Sequence, residues 1–167
     1  LPYPALANEI AALLADPETD LFWLLNPDTV VPPDTPSAFL RAARAMGRFA
    51  AIGGRIVFLD APGLLQSDGG RLAPLTGAIE AVHFAAPLDQ TAPPHPATLD
   101  FISGAAMVVS RDFVTRAGLM DERYFLYCEE IDWQLRRGDL PLGLAADAIV
   151  LHRAGASIGS AGRGKPS

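Results

Sequence analysis

Three groups of side chains in this chain have types and spacings that could do chemistry. Asn26 and Asp28 stand one residue apart directly after an apolar run; Glu129, Glu130 and Asp132 open a segment of helical composition; His152 closes a second apolar run. Carboxylate, amide oxygen and imidazole together suit a divalent cation, and a carboxylate not engaged by the cation is left to accept a proton. Taken singly, each group has an ordinary reading. Asn-Pro-Asp-Thr is good turn chemistry, acidic residues opening a helix match its dipole, and a histidine after a strand is most often a surface or core residue.

The elements that must position these groups can be read from periodicity. Leu6, Ile10, Leu13 and Leu14 recur at helical spacing up to Asp16-Pro17, and the run from Asp20 to Leu25 has the length and composition of a strand buried on both faces of a mixed or parallel sheet. Ser37 to Met46 reads as an amphipathic helix with Ser37 as N-cap and Gly47 as its stop. Ala50 to Leu59 is a strand interrupted by Gly53-Gly54, which permit a bulge or close backbone approach. From Asp60 to Pro96 the composition turns to Gly, Pro, Asp, Ala and His, which predicts a long surface excursion with room for short strands, facing substrate. Phe101 to Val109 is apolar and entered through Ser103-Gly104-Ala105. Arg111 to Ala117 predicts a short helix closed by Gly118, Glu129 to Arg137 a further helix, and Leu142 to Leu151 a last strand with His152 at its exit. Trp23 reads as core, and Tyr124 and Tyr127 as candidates for a substrate-facing wall. In an α/β protein such groups, emerging at strand ends, can share one crevice.

Bulk composition narrows the function classes. The chain has 167 residues, 50% of them apolar and 19% charged, enough for one domain with a real core. A net charge of −6 with only 13 Lys and Arg leaves no broad electrostatic footprint for a nucleic acid. One cysteine, Cys128, excludes an intrachain disulfide and a multi-cysteine zinc site, which fits a cytoplasmic location. No run of about 18 apolar residues is free of charge or proline.

Four segments in order resemble the landmarks of the inverting family 2 glycosyltransferases, nearest their rhamnosyltransferase-like branch. They are Leu24-Leu25-Asn26-Pro27-Asp28-Thr29, Ile102-Ser103-Gly104-Ala105-Ala106-Met107, Gly118 to Tyr127, and Glu129-Glu130-Ile131-Asp132-Trp133-Gln134-Leu135-Arg136, followed by His152 and Gly155-x-Ser157. The resemblance, from about Leu21 to about Ser157, implies an α/β GT-A fold, a mixed sheet flanked by helices. It implies an enzyme that moves a sugar, rhamnose in that branch, from a nucleotide-diphosphate donor to a saccharide or lipid-linked acceptor. The cofactor implied is Mg²⁺ or Mn²⁺, with Asp28 as direct ligand, Asn26 as the neutral substitute for the usual first acid, and His152 completing the metal site. Glu130 is implied as the general base with Glu129 close behind, and Asp132 and Arg136 as supports one helical turn apart. Ser103, Gly104 and Ala105 match the loop along the donor sugar and acceptor pocket.

The same resemblance places a nucleotide-binding half before Asn26 that has no counterpart here. Residues 1–157 are accordingly expected to be the C-terminal portion of a single GT-A domain truncated at its N-terminus, and 158–167 a mobile tail. Association with the inner face of a membrane and homo-oligomerisation are compatible with this chemistry. Two other classes stay open: a non-catalytic GT-A-like binding or assembly module, and a nucleotidyltransferase.

Overall fold

The computed structural model describes residues 3–125 and 127–153. Its centre is a six-stranded mixed sheet in the order β1-β7-β3-β8-β2, with β4 beside β3. Strand β1 (Leu21–Leu25) pairs antiparallel with β7 (Ala106–Ser110), which pairs antiparallel with the first residues of β3 (Ala51–Phe58). On its other side β3 runs parallel to β8 (Leu142–His152), and β2 (Thr29–Val30) closes that edge. Two reversals make β1, β3 and β8 point the same way, so the residues after β1 and the end of β8 fall on one edge of the sheet. Strand β7 runs oppositely and starts at that edge.

Helices cover both faces. Helix α3 (Thr35–Met46) lays Ala38, Phe39 and Ala43 on Ile52, Val108, Ala148 and Val150. Helix α2 (Ile10–Leu13), which follows the short α1 (Tyr3–Ala7), lies on the opposite face with α4 (Arg111–Ala117) and α5 (Glu129–Leu135). There Phe22, Met107, Val109, Phe113 and Trp133 form the second core. The two-residue period of a strand explains the division: in β7, Ala106 and Val108 serve one core and Met107 and Val109 the other. Trp133 locks α5 in place by stacking on Phe113, ring centroids 4.7 Å apart, and by donating its indole N–H to the Gly118 carbonyl at 2.7 Å.

Several elements differ from the sequence expectation. Strand β1 does pack on both faces, but it is an edge strand among the described residues. Leu21 and Trp23 are therefore half-buried, and Leu25 is exposed. Trp23 rests on Phe39 at 5.3 Å rather than deep in the core. The N-cap position of α3 is Asp34 and not Ser37, because the Thr35 hydroxyl reaches the Ile149 carbonyl of β8 at 2.7 Å and draws the first turn onto the sheet. The helix expected over 8–14 is realised only as α2, with the separate short α1 before it, and α5 stops at Leu135, two residues early.

The excursion after Asp60 carries strands, one of them longer than its composition suggests. It contains β4 (Ala61–Ser67), which turns back on β3, and the hairpin β5 (Gly70–Leu72) and β6 (Ile79–Ala81). Gly53 and Gly54 do both things their type allows. A Cβ at Gly54 would stand 2.6 Å from the Ala148 carbonyl, and the β3–β8 register jumps between Gly54 and Arg55. On the other side of β3, its partner changes from β7 at Ala51–Gly53 to β4 at Ile56–Phe58.

Candidate functional site

The carboxyl end of β1 delivers Asn26 to the functional edge. Its backbone N–H bonds the Ala105 carbonyl at 3.0 Å, so the Asn26 and Ser103-Gly104-Ala105 segments are tied directly. The Thr29 hydroxyl donates back to the Asn26 carbonyl at 2.7 Å and closes the turn. Thr29 is also paired with His152, and the Arg153 N–H reaches the Asp28 carbonyl at 3.1 Å. The turn chemistry of Asn-Pro-Asp-Thr is thus realised, and it serves to aim Asp28 at the end of β8.

The result is a contact between His152 Nε2 and Asp28 Oδ1 at 3.2 Å. On the other side of the ring, His152 Nδ1 lies 2.8 Å from Gln66 Oε1. An amide oxygen can only accept, so a hydrogen sits on Nδ1, and Nε2 is the ring atom turned to Asp28. Asp28 Oδ1 is itself buried and has no hydrogen-bond donor. Asp28 Oδ1, a buried oxygen without a donor, and His152 Nε2, 3.2 Å from it, are both atom types able to ligate a cation. Asn26 is the neighbouring oxygen donor. Among the described residues no three or more His, Cys, Asp or Glu are arranged to hold a metal ion, so Asp28 and His152 would supply only part of a hard cation's usual six oxygen-rich ligands.

The start of α5 brings the second chemistry. Cys128, in the left-handed region at φ +67°, cannot cap the helix with its side chain, and Tyr127 before it is also left-handed at φ +71°. Residues of these types adopt that backbone only against strain. In this arrangement Glu129 is only 4% exposed, and one carboxylate oxygen of each glutamate, Oε2, is buried without a donor. Burial pushes the Glu130 carboxyl above the ordinary carboxylate range, and the adjacent Glu129 charge adds to this, against the backbone amides of Glu130 itself, Gly104 and Ile131. Glu129 is pushed up by burial as well, offset in part by its own backbone amide.

The Gly104 amide facing Glu130 joins the third segment to the other two. That loop is held by Gln134, which is fully buried and bonds both backbone groups of Ile102: the Ile102 N–H to Oε1 and the Ile102 carbonyl from Nε2, each at 2.7 Å. Beside the loop, Ser103, Gln66 and His152 share a groove of about 250 Å³ with apolar residues of the excursion. Sequence reading missed Gln66 and Gln134. Gln66 lies in no motif, Gln134 lies in the Glu129–Arg136 segment without a role of its own there, and each acts through a partner far away in the chain.

The remaining candidates lie around this centre. Asp132 and Arg136 approach to 3.4 Å, and the Arg136 guanidinium donates to the Ala117 and Leu119 carbonyls, the latter at 2.9 Å. Arg136 therefore braces the turn after α4 and does not point at the groove. Tyr124 shares a shallow depression with Asp121, Arg123 and Asp132, and Tyr127 is exposed. Gly155 and Ser157 lie outside the described residues.

The orphaned glutamates make a prediction about stability. A carboxyl whose folded pKa is raised binds its proton more tightly when folded, so its contribution to stability is fully present below the unfolded value of about 4.5 and is lost as pH rises through the folded value. Glu129→Gln, which removes the buried charge, is expected to raise the unfolding free energy at pH 7 by about 1–3 kcal/mol and to change it less at pH 4. Urea denaturation at the two pH values reads this, and equal effects at both would refute it.

No protein-family model matches this chain, and a search of curated proteins finds no match. No helix among the described residues is long and apolar enough to cross a membrane.

Proposed function

We propose that this chain carries the catalytic face of an inverting, metal-assisted glycosyltransferase of GT-A type, of family 2 and nearest its rhamnosyltransferase-like branch. One observation supports this above the others. Segments some 75, 100 and 125 residues from Asn26-x-Asp28 gather at one sheet edge, as an Asp28–His152 pair and as a Glu130 carboxylate facing the Ser103–Ala105 loop tied to Asn26. The α/β architecture with its mixed sheet is compatible with that family's fold.

The reaction follows from the residues. An acceptor hydroxyl seated beside Ser103 and Gly104 gives its proton to Glu130 while its oxygen attacks the anomeric carbon, on the side opposite the departing diphosphate. Attack from that side inverts the anomeric configuration. A carboxylate lifted by burial toward neutral pH is a stronger base than an exposed one. Asp28 and His152, with Asn26 beside them, would hold Mg²⁺ or Mn²⁺, whose chemistry is to neutralise the diphosphate as negative charge collects on it. Gln66 keeps His152 in the tautomer that leaves Nε2 free, and Gln134 holds the loop against α5 so that Gly104 meets Glu130.

Titration of the full chain with Mn²⁺, followed by electron paramagnetic resonance, tests the cation half of this reading. Wild type is expected to bind, and Asp28→Ala to bind at least tenfold more weakly, with calorimetric responses to UDP-, dTDP- or GDP-sugars lost in parallel. Equal Mn²⁺ affinity in the two proteins would remove Asp28 from the site. A dTDP-rhamnose response would select the branch.

A further inference from the structure

The excursion between β3 and β7 carries three features that the chemistry above does not use. The first is a buried ionic network. Asp68, fully buried, takes both Nε and Nη2 of Arg55 at 3.0 and 2.9 Å, and its Oδ2 also lies 2.9 Å from His83 Nδ1. The second is a strained turn. The Asp68 N–H bonds the Val82 carbonyl and the Ala85 N–H bonds the Leu65 carbonyl, so His83 and Phe84 loop out between two anchor points on β4. His83 and Ala85 both sit in the left-handed region, at φ +63° and +60°. The third is what the turn displays: Phe84, 63% exposed, with only an edge contact to Phe58 at 5.6 Å.

A buried ion network and two strained residues are costly ways to hold one phenyl ring in solvent. Phe84 lines the same groove as Gln66, Ser103 and His152. That groove therefore has an apolar, partly aromatic wall and a hydrogen-bonding end, and no carboxylate, lysine or arginine lines it. Such a surface suits a neutral ligand with one C–H face and a rim of hydroxyls, which is the chemistry of a pyranose ring. It does not suit a phosphate, a cationic peptide or a bare alkyl chain.

We propose that Phe84 is a stacking platform for a neutral pyranose, and that the Arg55–Asp68–His83 network exists to hold it there. The ring would be that of the acceptor, a statement that rests on the glycosyl-transfer reading; the binding itself does not.

Saturation-transfer NMR on the full chain, with methyl α-L-rhamnopyranoside and methyl β-D-glucopyranoside as probes, tests it. Wild type is expected to saturate the ring protons of at least one pyranoside. Phe84→Ala should raise its dissociation constant about tenfold, the loss of one aromatic contact, and Phe84→Tyr should restore it. An unchanged thermal midpoint in Phe84→Ala checks that the fold is intact. Equal binding to Phe84→Ala, or no pyranoside binding by wild type, overturns the proposal, and so does tight binding of dodecyl phosphate in place of the sugars. Mn²⁺ affinity measured on the same samples separates the two readings. Pyranoside binding without Mn²⁺ binding supports the platform and sinks the metal centre; Mn²⁺ binding without pyranoside binding does the reverse.

Discussion

Glu130→Gln is expected to lower glycosyl transfer by about two to four orders of magnitude, the range that a positioned general base contributes. The substitution removes the basic oxygen but keeps an amide oxygen where the Gly104 and Ile131 N–H groups point, so the loop and the first turn of α5 should stay in place. Mn²⁺ affinity should be unchanged, because the Asp28–His152 pair is built from the ends of other strands. Glu129→Gln should lose less, since Glu129 is almost wholly enclosed and no neighbouring loop amide faces it. Single-turnover rates with the nucleotide sugar that binds best would read this. Unimpaired transfer by Glu130→Gln would remove the base assignment, and a larger loss in Glu129→Gln would move it by one residue.

Asp68→Ala should have the largest effect on stability. It leaves the Arg55 guanidinium, itself 6% exposed, with only the Thr91 carbonyl at 2.8 Å as partner. Breaking one side of a buried ion pair costs about 3–5 kcal/mol, which for a domain of this size lowers the thermal midpoint by roughly 10 °C. Replacing both partners, as in Arg55→Met with Asp68→Leu, should restore much of that stability, since no buried charge is left alone. The double variant would still lack the anchor of His83, so its pyranoside binding should remain weak even with its stability regained. Calorimetric unfolding distinguishes these outcomes, and a midpoint unmoved by Asp68→Ala would show that the network bears no load.

The two sets of substitutions probe different parts of the molecule. The sheet edge with Asp28, Glu130 and His152 is assembled by the central strands and α5. The groove wall is assembled by the excursion, whose strands join the sheet only through the second half of β3. Gln66 of β4, bonded to His152, is the point at which the two parts touch.

Much of the frame was written locally in the chain. The apolar runs at Leu21–Leu25 and Leu142–Leu151 became strands, and Gly47 and Gly118 ended helices at the left-handed positions their type makes accessible. Apolar runs and helix stops are properties that neighbours in sequence suffice to specify. The residue types of Asn26, Asp28, Glu130 and His152 stood out locally as candidates, although no one segment sufficed and only the order of several segments suggested a shared role.

Tertiary structure decided what depends on distant partners. That β1 lies at an edge could not be read from an apolar pentapeptide, which looks alike at the centre or the rim of a sheet. The length of strand β4 was hidden because its Pro and Gly blur the alternation, and its strand state comes from pairing with β3 beyond Gly54. Gln66 became the partner of His152, Gln134 the clamp of Ile102, and Asp68 the counter-ion of Arg55 only once folding brought them together. A lone glutamine or aspartate carries no periodic signal. Its role is set by which donor or acceptor the folded chain places within about 3 Å, and by whether water is excluded there.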